Sequence, residues 1–188
     1  MHALNNQTQD DAHLWVQWDT YHHSIHQLAL NIYQSGWKFD QILCLARGGL
    51  RVGDQLSRIF NCPLAILATS SYRGQSGVQQ EQLSIAPHVT KTGEDLAGKI
   101  LLADDLVDSG ITLKEVKMLL PQRYKNIKEI RSGVIWYKAR SIIRPDYFVH
   151  YLPTNPWIHQ PFEDWDDIKP SELAASIKKT FIEKTFIE

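Results

Sequence analysis

The feature that most constrains this chain is residues 100–113, which read ILLADDLVDSGITL. An apolar run that leads into acidic residues and then Ser, Gly and Thr is typical of a buried strand, a turn and a helix start. In an open parallel sheet, the carboxyl ends of the strands lie beside the crevice where ligands bind. We therefore expect Asp104, Asp105 and Asp108 at a ligand-binding edge of such a sheet.

The chemistry of this acidic turn indicates a particular kind of ligand. Its three closely spaced carboxylates would repel one another unless cations or hydroxyl groups engaged them. Residues 109–112 add two hydroxyls and the N–H groups of a helix start, which favour phosphate, and Gly110 lets the chain turn closely. Together these groups suit a ligand with vicinal hydroxyls and a metal on one side and a terminal phosphate on the other, as in an activated ribose phosphate. The alternative, a capped helix with solvated acids, is disfavoured by the full spacing.

Apolar runs and helical periodicity divide the rest of the chain into alternating strands and helices. We predict that Asp19 caps the first helix and that Gly36 stops it. Strands are predicted at 41–46, 63–68, 99–103, 130–137 and 146–152, and the later helices at 50–60, about 112–120 and near 170–187. This order predicts an α/β fold in which a twisted, mainly parallel sheet is flanked by helices.

Composition narrows the function classes. The chain has 188 residues, of which 43% are hydrophobic and 22% charged, which is typical of one globular domain. Its 20 basic and 21 acidic side chains nearly cancel, so we expect no nucleic-acid partner and no anionic lipid surface. The first residues show no basic region followed by an apolar run, and no run of about 18 apolar residues occurs in the sequence, so we expect no membrane segment and a cytoplasmic location.

The motif DDLVDSG at 104–110 resembles the type I phosphoribosyltransferases, and more closely their bacterial xanthine-guanine or hypoxanthine branch. The resemblance spans roughly residues 15–166 and implies that family's fold with a small hood. It also implies that Asp104 and Asp105 face the ribose hydroxyls of 5-phosphoribosyl diphosphate, that Asp105 binds Mg²⁺, and that Asp108 is the catalytic acid or base at purine N7. The residues implied to hold the 5′-phosphate are Ser109, Gly110, Ile111 and Thr112.

Two further segments carry the resemblance to the diphosphate site. ARGGL resembles the family's diphosphate loop, in which Arg47 and Gly48 meet the leaving group and the intervening backbone adopts a rare cis peptide. SSYRG resembles the start of a mobile lid, in which Ser71 and Tyr72 bind the diphosphate substrate and Arg73 contacts phosphate. The alternative for ARGGL is a plain strand-to-helix turn, and the alternative for SSYRG is a solvated polar loop.

The resemblance also assigns the base site. Lys138 matches the lysine that donates to the exocyclic O6 of a purine, so adenine should be a poor substrate. In NPWIHQPF, Trp157 would stack on the base and Ile158 would offer backbone groups to its Watson–Crick edge. His159 stands where the branch usually carries an acid, which leaves the choice among guanine, xanthine and hypoxanthine open.

Other implied properties concern organisation. We predict a polar N-terminal segment at 1–14, a core at 15–152 with a lid loop at 70–98, and a hood with a C-terminal helix at 153–188. The resemblance implies a homodimer or a homotetramer. Glu163 or Asp164 could reach a second magnesium ion through water.

Two other functions are compatible with the same pattern. One is a regulatory protein that senses 5-phosphoribosyl diphosphate without turnover and acts on RNA or a protein. The other is an enzyme of the same fold for a pyrimidine or a nicotinate-like base. The combination of Asp108, Lys138 and Trp157 favours a purine enzyme that makes a nucleotide and releases pyrophosphate.

Overall fold

The computed structural model describes residues 12–72, 82–93 and 95–185. The chain divides into two compact units, one formed by Met1–Tyr21 with Trp157–Glu188 and the other by His22–Pro156. The division predicted from the sequence, at 1–14, 15–152 and 153–188, stays a prediction.

Strands and helices alternate through most of the chain. In chain order they are β1 His13–Trp15, α1 Trp18–Gln34, β2 Gln41–Ala46, α2 Leu50–Phe60, β3 Leu64–Tyr72, β4 Gln82–Ile85, β5 Gly98–Val107, α3 Ile111–Arg123, β6 Ile127–Lys138, β7 Tyr147–Leu152, β8 Trp157–His159, α4 Asp164–Asp167 and α5 Pro170–Thr185.

The larger unit is built on a six-stranded sheet with the order β4-β3-β2-β5-β6-β7. Every neighbouring pair in it is parallel except β3 with β4. The predicted α/β fold with a mainly parallel sheet flanked by helices is therefore confirmed. Its central strands are continuous apolar runs because both faces of such a sheet are covered, and fully buried examples are Leu43, Leu102 and Val134.

The predicted end of the third strand was too early. β5 continues to Val107 because its backbone pairs with β6 well beyond Ala103, through Asp104 with Val134 and Val107 with Tyr137. Asp104 and Asp105 therefore lie in the last part of the strand, and the turn begins only at Asp108. An acidic residue at the end of a strand does not interrupt strand pairing, because the paired groups all belong to the backbone.

Several other elements differ from the predicted ones, and among them β3 and β6 are longer than predicted. The first helix begins at Trp18, so Asp19 lies in its first turn and is not its cap, whereas the end of the helix at Gln34 and the positive φ of Gly36 agree with the predicted stop. α3 is longer than predicted at both ends. The segment interpreted as a loop at 70–98 contains β4, which pairs antiparallel with β3. This strand has only four residues, QLSI, and its short polar–apolar alternation lies within a longer polar segment.

The smaller unit contains a two-stranded parallel sheet of β1 and β8, in which His13 pairs with Trp157 and Trp15 with His159. The last helix, α5, begins at Pro170 as predicted, but its apolar residues Leu173 and Ile177 are exposed. Among the helices that the structure describes, none has the length and apolarity needed to cross a bilayer.

Candidate active site

The loop after β2 packs directly on the end of β5. These two strands are parallel neighbours, with Cys44 opposite Ala103, so their carboxyl ends meet. A Cβ atom on Gly48 would lie 2.5 Å from Oδ1 of Asp105, and one on Gly49 would lie 2.6 Å from the carbonyl oxygen of Ala103. Both glycines are therefore required by close approach, and the cis peptide of this loop links Ala46 to Arg47, one bond before the predicted position between Arg47 and Gly48.

Asp104 and Asp105 form an electrostatically unfavourable pair in the ligand-free protein. The backbone N–H of Asp105 donates to Oδ1 of Asp104 over 2.9 Å. Burial raises the pKa of Asp104 well above its usual range, and the neighbouring charge of Asp105 raises it further. A cation or a set of hydroxyl donors would relieve this repulsion.

The Asp104 and Asp105 carboxylates fit a magnesium site that a bound substrate would complete. Within the described ranges no group of three or more His, Cys, Asp or Glu side chains could hold a metal ion. Mg²⁺ commonly uses one or two carboxylates and completes its octahedron with water and substrate phosphate oxygens. Asp105, whose carboxylate packs against Gly48 of the ARGGL loop, has the chemistry and the placement for that role.

The turn after β5 lies beside a cavity at the start of α3. Gly110 has a φ of 79°, and a side chain there would collide with Ser141 Oγ. The carbonyl of Ser109 accepts a hydrogen bond from the N–H of Ile142 over 2.9 Å, so the turn is held from outside. The N–H groups at the start of α3 border a cavity of about 220 Å³. This cavity is lined by Leu83, Asp104, Asp105, Leu106, Val107, Asp108, Ser109, Gly110, Ile111, Thr112, Leu113 and Arg140.

Asp108 is held by two cationic side chains. Nε of Arg140 donates to Oδ1 of Asp108 over 2.6 Å, and a second guanidinium nitrogen donates to Oδ2. Nζ of Lys138 lies 3.4 Å from the same Oδ1. Burial alone would raise the pKa of Asp108, but the hydrogen bonds of Arg140 and the charges of Lys138 and Arg140 outweigh it, so the net pKa is lowered. The carboxylate is therefore ionised and fixed in direction.

The sheet register brings Lys138 to this carboxylate. Val107 pairs with Tyr137, and the residues that follow these two in the chain are Asp108 and Lys138. Lys138 is only 5% exposed, so its charge is desolvated and its ion pair with Asp108 matters. Two residues predicted for one site from separate segments thus lie side by side.

The other predicted site residues are only partly described. Ser71 and Tyr72 lie in β3, where their backbones pair with Leu83 and Gln82, and Arg73 is outside the described residues. The roles predicted for all these side chains stay predictions.

The predicted hood residues lie in the smaller unit. Trp157 is 47% exposed and Ile158 is 4% exposed. This difference is expected because successive side chains of a strand point to opposite faces. The ring of His159 stacks on Trp15, with centroids 3.6 Å apart, and it makes a 2.8 Å hydrogen bond with His13. The ring that stands in place of the expected acid is thus fixed by the N-terminal strand.

Sequence reasoning missed Arg140. It follows the end of β6, where the chain leaves the regular strand, so no periodicity indicates the direction of its side chain. The available signal was the spacing K-A-R, which places a second cation two residues after Lys138 in the same loop.

A family model described as the phosphoribosyl transferase domain matches residues 17–166. The site and the fold thus define a phosphoribosyl-transferring class of enzyme, the pentosyltransferases. The chain belongs to the phosphoribosyl transferase family.

Named relatives agree with this assignment. The chain is similar to the xanthine-guanine phosphoribosyltransferase of Gluconobacter oxydans, with 31% identity over 164 residues that cover 86% of this chain and 89% of that protein. It is also 31% identical over 153 residues to the enzyme of the same name from Idiomarina loihiensis, covering 81% and 86% of the two chains. The crystal structure of a purine phosphoribosyltransferase from Pyrococcus horikoshii matches with a TM-score of 0.67 and 29% identity, over 83% of this chain and 97% of that one.

Proposed function

We propose that this chain is a magnesium-dependent purine phosphoribosyltransferase that transfers the 5-phosphoribosyl group to a 6-oxopurine and releases pyrophosphate, as in purine salvage. The observation that carries the proposal is the pairing of Lys138 with Asp108 across 3.4 Å, beside the anion-binding turn. A fixed cation next to a fixed carboxylate complements an O6 acceptor next to an N7 donor on one edge of a purine. The names of the relatives support the same substrate class.

The acidic turn and the ARGGL loop would orient 5-phosphoribosyl diphosphate. Asp104 and Asp105 accept hydrogen bonds from the two ribose hydroxyls, while the N–H groups of residues 109–112 bind the 5′-phosphate. Arg47 and Gly48 contact the diphosphate. Bound by Asp105 and diphosphate oxygens, Mg²⁺ would neutralise the negative charge that the leaving group gains.

The transfer itself requires little covalent chemistry from the protein. The C1–O bond to diphosphate breaks, its electron pair leaves with pyrophosphate, and N9 of the purine forms the new bond to C1. The proton at N7 passes to Asp108, whose ionised carboxylate is already directed by Arg140 and Lys138. Positioning and charge stabilisation would supply most of the rate acceleration.

Base selection follows from the same groups. Lys138 donates to O6 and disfavours the amino group of adenine, since an ammonium cannot accept a hydrogen bond. Trp157 stacks on the base, and Ile158 offers backbone groups to its Watson–Crick edge. His159 replaces the acid expected beside the 2-position, so the preference among guanine, xanthine and hypoxanthine is a direct readout of the assay below. The enzyme would act in the cytoplasm as a homo-oligomer.

The test is pyrophosphate release from 5-phosphoribosyl diphosphate and Mg²⁺ with guanine, xanthine, hypoxanthine, adenine, uracil and nicotinate supplied separately. We expect turnover with at least one 6-oxopurine and none with adenine. Turnover with uracil or nicotinate alone would replace the proposed base class. If no base supports pyrophosphate release but 5-phosphoribosyl diphosphate binds measurably, the result would favour a regulatory protein that senses this ligand without turnover.

A further inference from the structure

Residues 139–146, here called the β6–β7 loop, support the acidic turn at three successive residues. Arg140 donates two hydrogen bonds to the Asp108 carboxylate. The N–H of Ile142 donates to the carbonyl of Ser109, and Ser141 Oγ fills the space that a side chain on Gly110 would need. The β6–β7 loop therefore packs against the turn and holds its backbone in place.

Hydrogen bonds within the β6–β7 loop fix the position of the Arg140 backbone. The N–H of Ser141 donates to the carbonyl of Lys138 over 3.1 Å, and Ser141 Oγ donates to the carbonyl of Ile143 over 2.7 Å. The backbone on either side of Arg140 is therefore constrained. The guanidinium fork is itself planar and pre-organised, so little side-chain entropy is lost per hydrogen bond when it binds a carboxylate.

The two cations on Asp108 act differently. Lys138 approaches one oxygen, Oδ1, over 3.4 Å, and a single contact leaves the carboxylate free to turn about its last torsion, which is broad for Asp. Arg140 engages both oxygens, and a bidentate contact fixes the plane of the carboxylate as well as its position.

We propose that Arg140 is a positioning residue for Asp108: its fork fixes the carboxylate plane, so that Oδ1 and Lys138 Nζ present an acceptor and a donor at constant spacing to the base. This inference rests on the proposed function and adds to it a residue that acts through Asp108. Arg140 lines the same cavity as residues 109–112, but its two hydrogen bonds described above go to the Asp108 carboxylate and not to the backbone that we propose holds the 5′-phosphate. Loss of Arg140 should therefore impair the transfer step and spare the diphosphate substrate.

The first experiment compares Arg140→Ala and Arg140→Lys with Arg144→Ala. Arg144 belongs to the same loop, but its guanidinium lies over the Phe148 ring at 5.3 Å. In Arg140→Ala we expect kcat to fall by about 10- to 100-fold, since small misplacements of reacting groups have effects of that size. The KM for 5-phosphoribosyl diphosphate should stay within about twofold, and millimolar guanidinium, but not ammonium, should restore kcat. Arg140→Lys should recover only part of the loss, and Arg144→Ala should match the parent protein.

An unchanged kcat in Arg140→Ala would overturn the inference. So would a loss of kcat that guanidinium does not restore and that accompanies a lower melting temperature, because that pattern indicates a structural role.

A second measurement separates this inference from the proposed function, because it requires no substrate. The Nε–H resonance of Arg140, assigned by its loss in Arg140→Lys, is followed by ¹H–¹⁵N NMR in the parent protein and in Asp108→Asn. We expect a large shift for Arg140 and none for Arg144. If the shift is found but no base is turned over, the Arg140–Asp108 contact stands and the proposed function fails. If Arg140 does not shift, the contact is absent in solution and the inference fails.

Discussion

Lys138 and Asp108 lie at the ends of neighbouring parallel strands, with Nζ of Lys138 3.4 Å from Oδ1 of Asp108. The register that pairs Val107 with Tyr137 makes them neighbours. A one-residue slip in this register would turn one of the two side chains to the other face of the sheet. The pairing of β5 with β6 is therefore as important to the base site as the two side chains themselves.

Lys138→Gln should weaken discrimination between purines. A glutamine amide keeps a donor for O6 but loses the charge, and a hydrogen bond to a charged group is worth about 1.5–3 kcal/mol. We expect kcat/KM for the best 6-oxopurine to fall by roughly 10- to 150-fold, with no comparable fall in any residual activity on adenine. Lys128→Gln, at the exposed opposite end of β6, serves as the control. Equal selectivity in Lys138→Gln and the parent protein would remove Lys138 from base recognition.

Gly48→Ala should impair substrate binding more than folding. Its new Cβ would lie 2.5 Å from a carboxylate oxygen of Asp105, which can move away only by leaving its position beside the ARGGL loop. We expect calorimetry to give weaker binding of 5-phosphoribosyl diphosphate with Mg²⁺, and thermal unfolding to change little.

The control for Gly48→Ala is Gly133→Ala, where the nearest atoms to the new Cβ would be at 3.4 Å in ordinary contact. Gly49→Ala provides the contrast, because its Cβ would meet backbone carbonyls at 2.6 and 2.7 Å, and it should lower the melting temperature. Undiminished binding by Gly48→Ala would show that the close packing at Asp105 is dispensable.

Asp104→Asn should stabilise the ligand-free protein while it weakens ligand binding. The asparagine oxygen can still accept from the N–H of Asp105, but the repulsion between the two acids is lost. Relief of about 1 kcal/mol would raise the melting temperature by roughly 2–4 °C in a chain of this size. Binding of 5-phosphoribosyl diphosphate should fall, as measured by calorimetry.

Asp54→Asn, which removes an exposed acid paired with Arg58 over 3.0 Å, should change neither property appreciably. A less stable Asp104→Asn protein would indicate that the acidic pair is not repulsive in the folded state.

Asp146→Ala should destabilise the β6–β7 loop in a pH-dependent way. The Asp146 carboxylate accepts hydrogen bonds from the N–H and the hydroxyl of Ser132 and from Lys117, over 2.7, 2.8 and 2.9 Å. Loss of these partners leaves a buried N–H unsatisfied, so the free energy of unfolding at neutral pH should fall by about 1–3 kcal/mol.

The pH dependence of that loss follows from the pKa of Asp146. Burial would raise this pKa, but the hydrogen bonds of Ser132 and Lys117 outweigh it, so the folded value lies below the ordinary one. The stabilisation is therefore present above the unfolded pKa of about 3.9 and is lost as pH falls through the folded pKa. In urea unfolding, the difference between parent and variant should shrink only below about pH 4. A difference that stays constant into strong acid would contradict this account.

Local patterns predicted the parts of the site that one segment can build. Residues 100–113 contain the strand, the acids and the phosphate turn in sequence order, and each has a strong local signal. The strand at 41–46 and the helix at 50–60 were predicted with their observed bounds, because apolar runs and periodicity are also local.

Contacts between segments that are distant in the chain were harder to predict from the sequence. Arg140 reaches Asp108 only because β5 and β6 pair, and its own loop has no period to indicate direction. β4 has four residues and lies at the edge of the sheet, so its short polar–apolar alternation within a polar segment is a weak local signal, although Ile85 packs against the core. The stacking of Trp15 on His159 depends on the pairing of β1 with β8, which short segments far apart in the chain do not indicate.

The central claim is that Asp108 acts in a phosphoribosyl transfer to a 6-oxopurine, and one comparison tests it most directly. Pyrophosphate release from 5-phosphoribosyl diphosphate, Mg²⁺ and the best 6-oxopurine is measured for the parent protein and for Asp108→Asn. We expect turnover by the parent protein and a kcat lower by about 10²- to 10⁴-fold in the variant, the usual contribution of a positioned acid or base. Equal turnover by both proteins would remove Asp108 from the chemistry, and no turnover by the parent protein with any 6-oxopurine would contradict the proposed function.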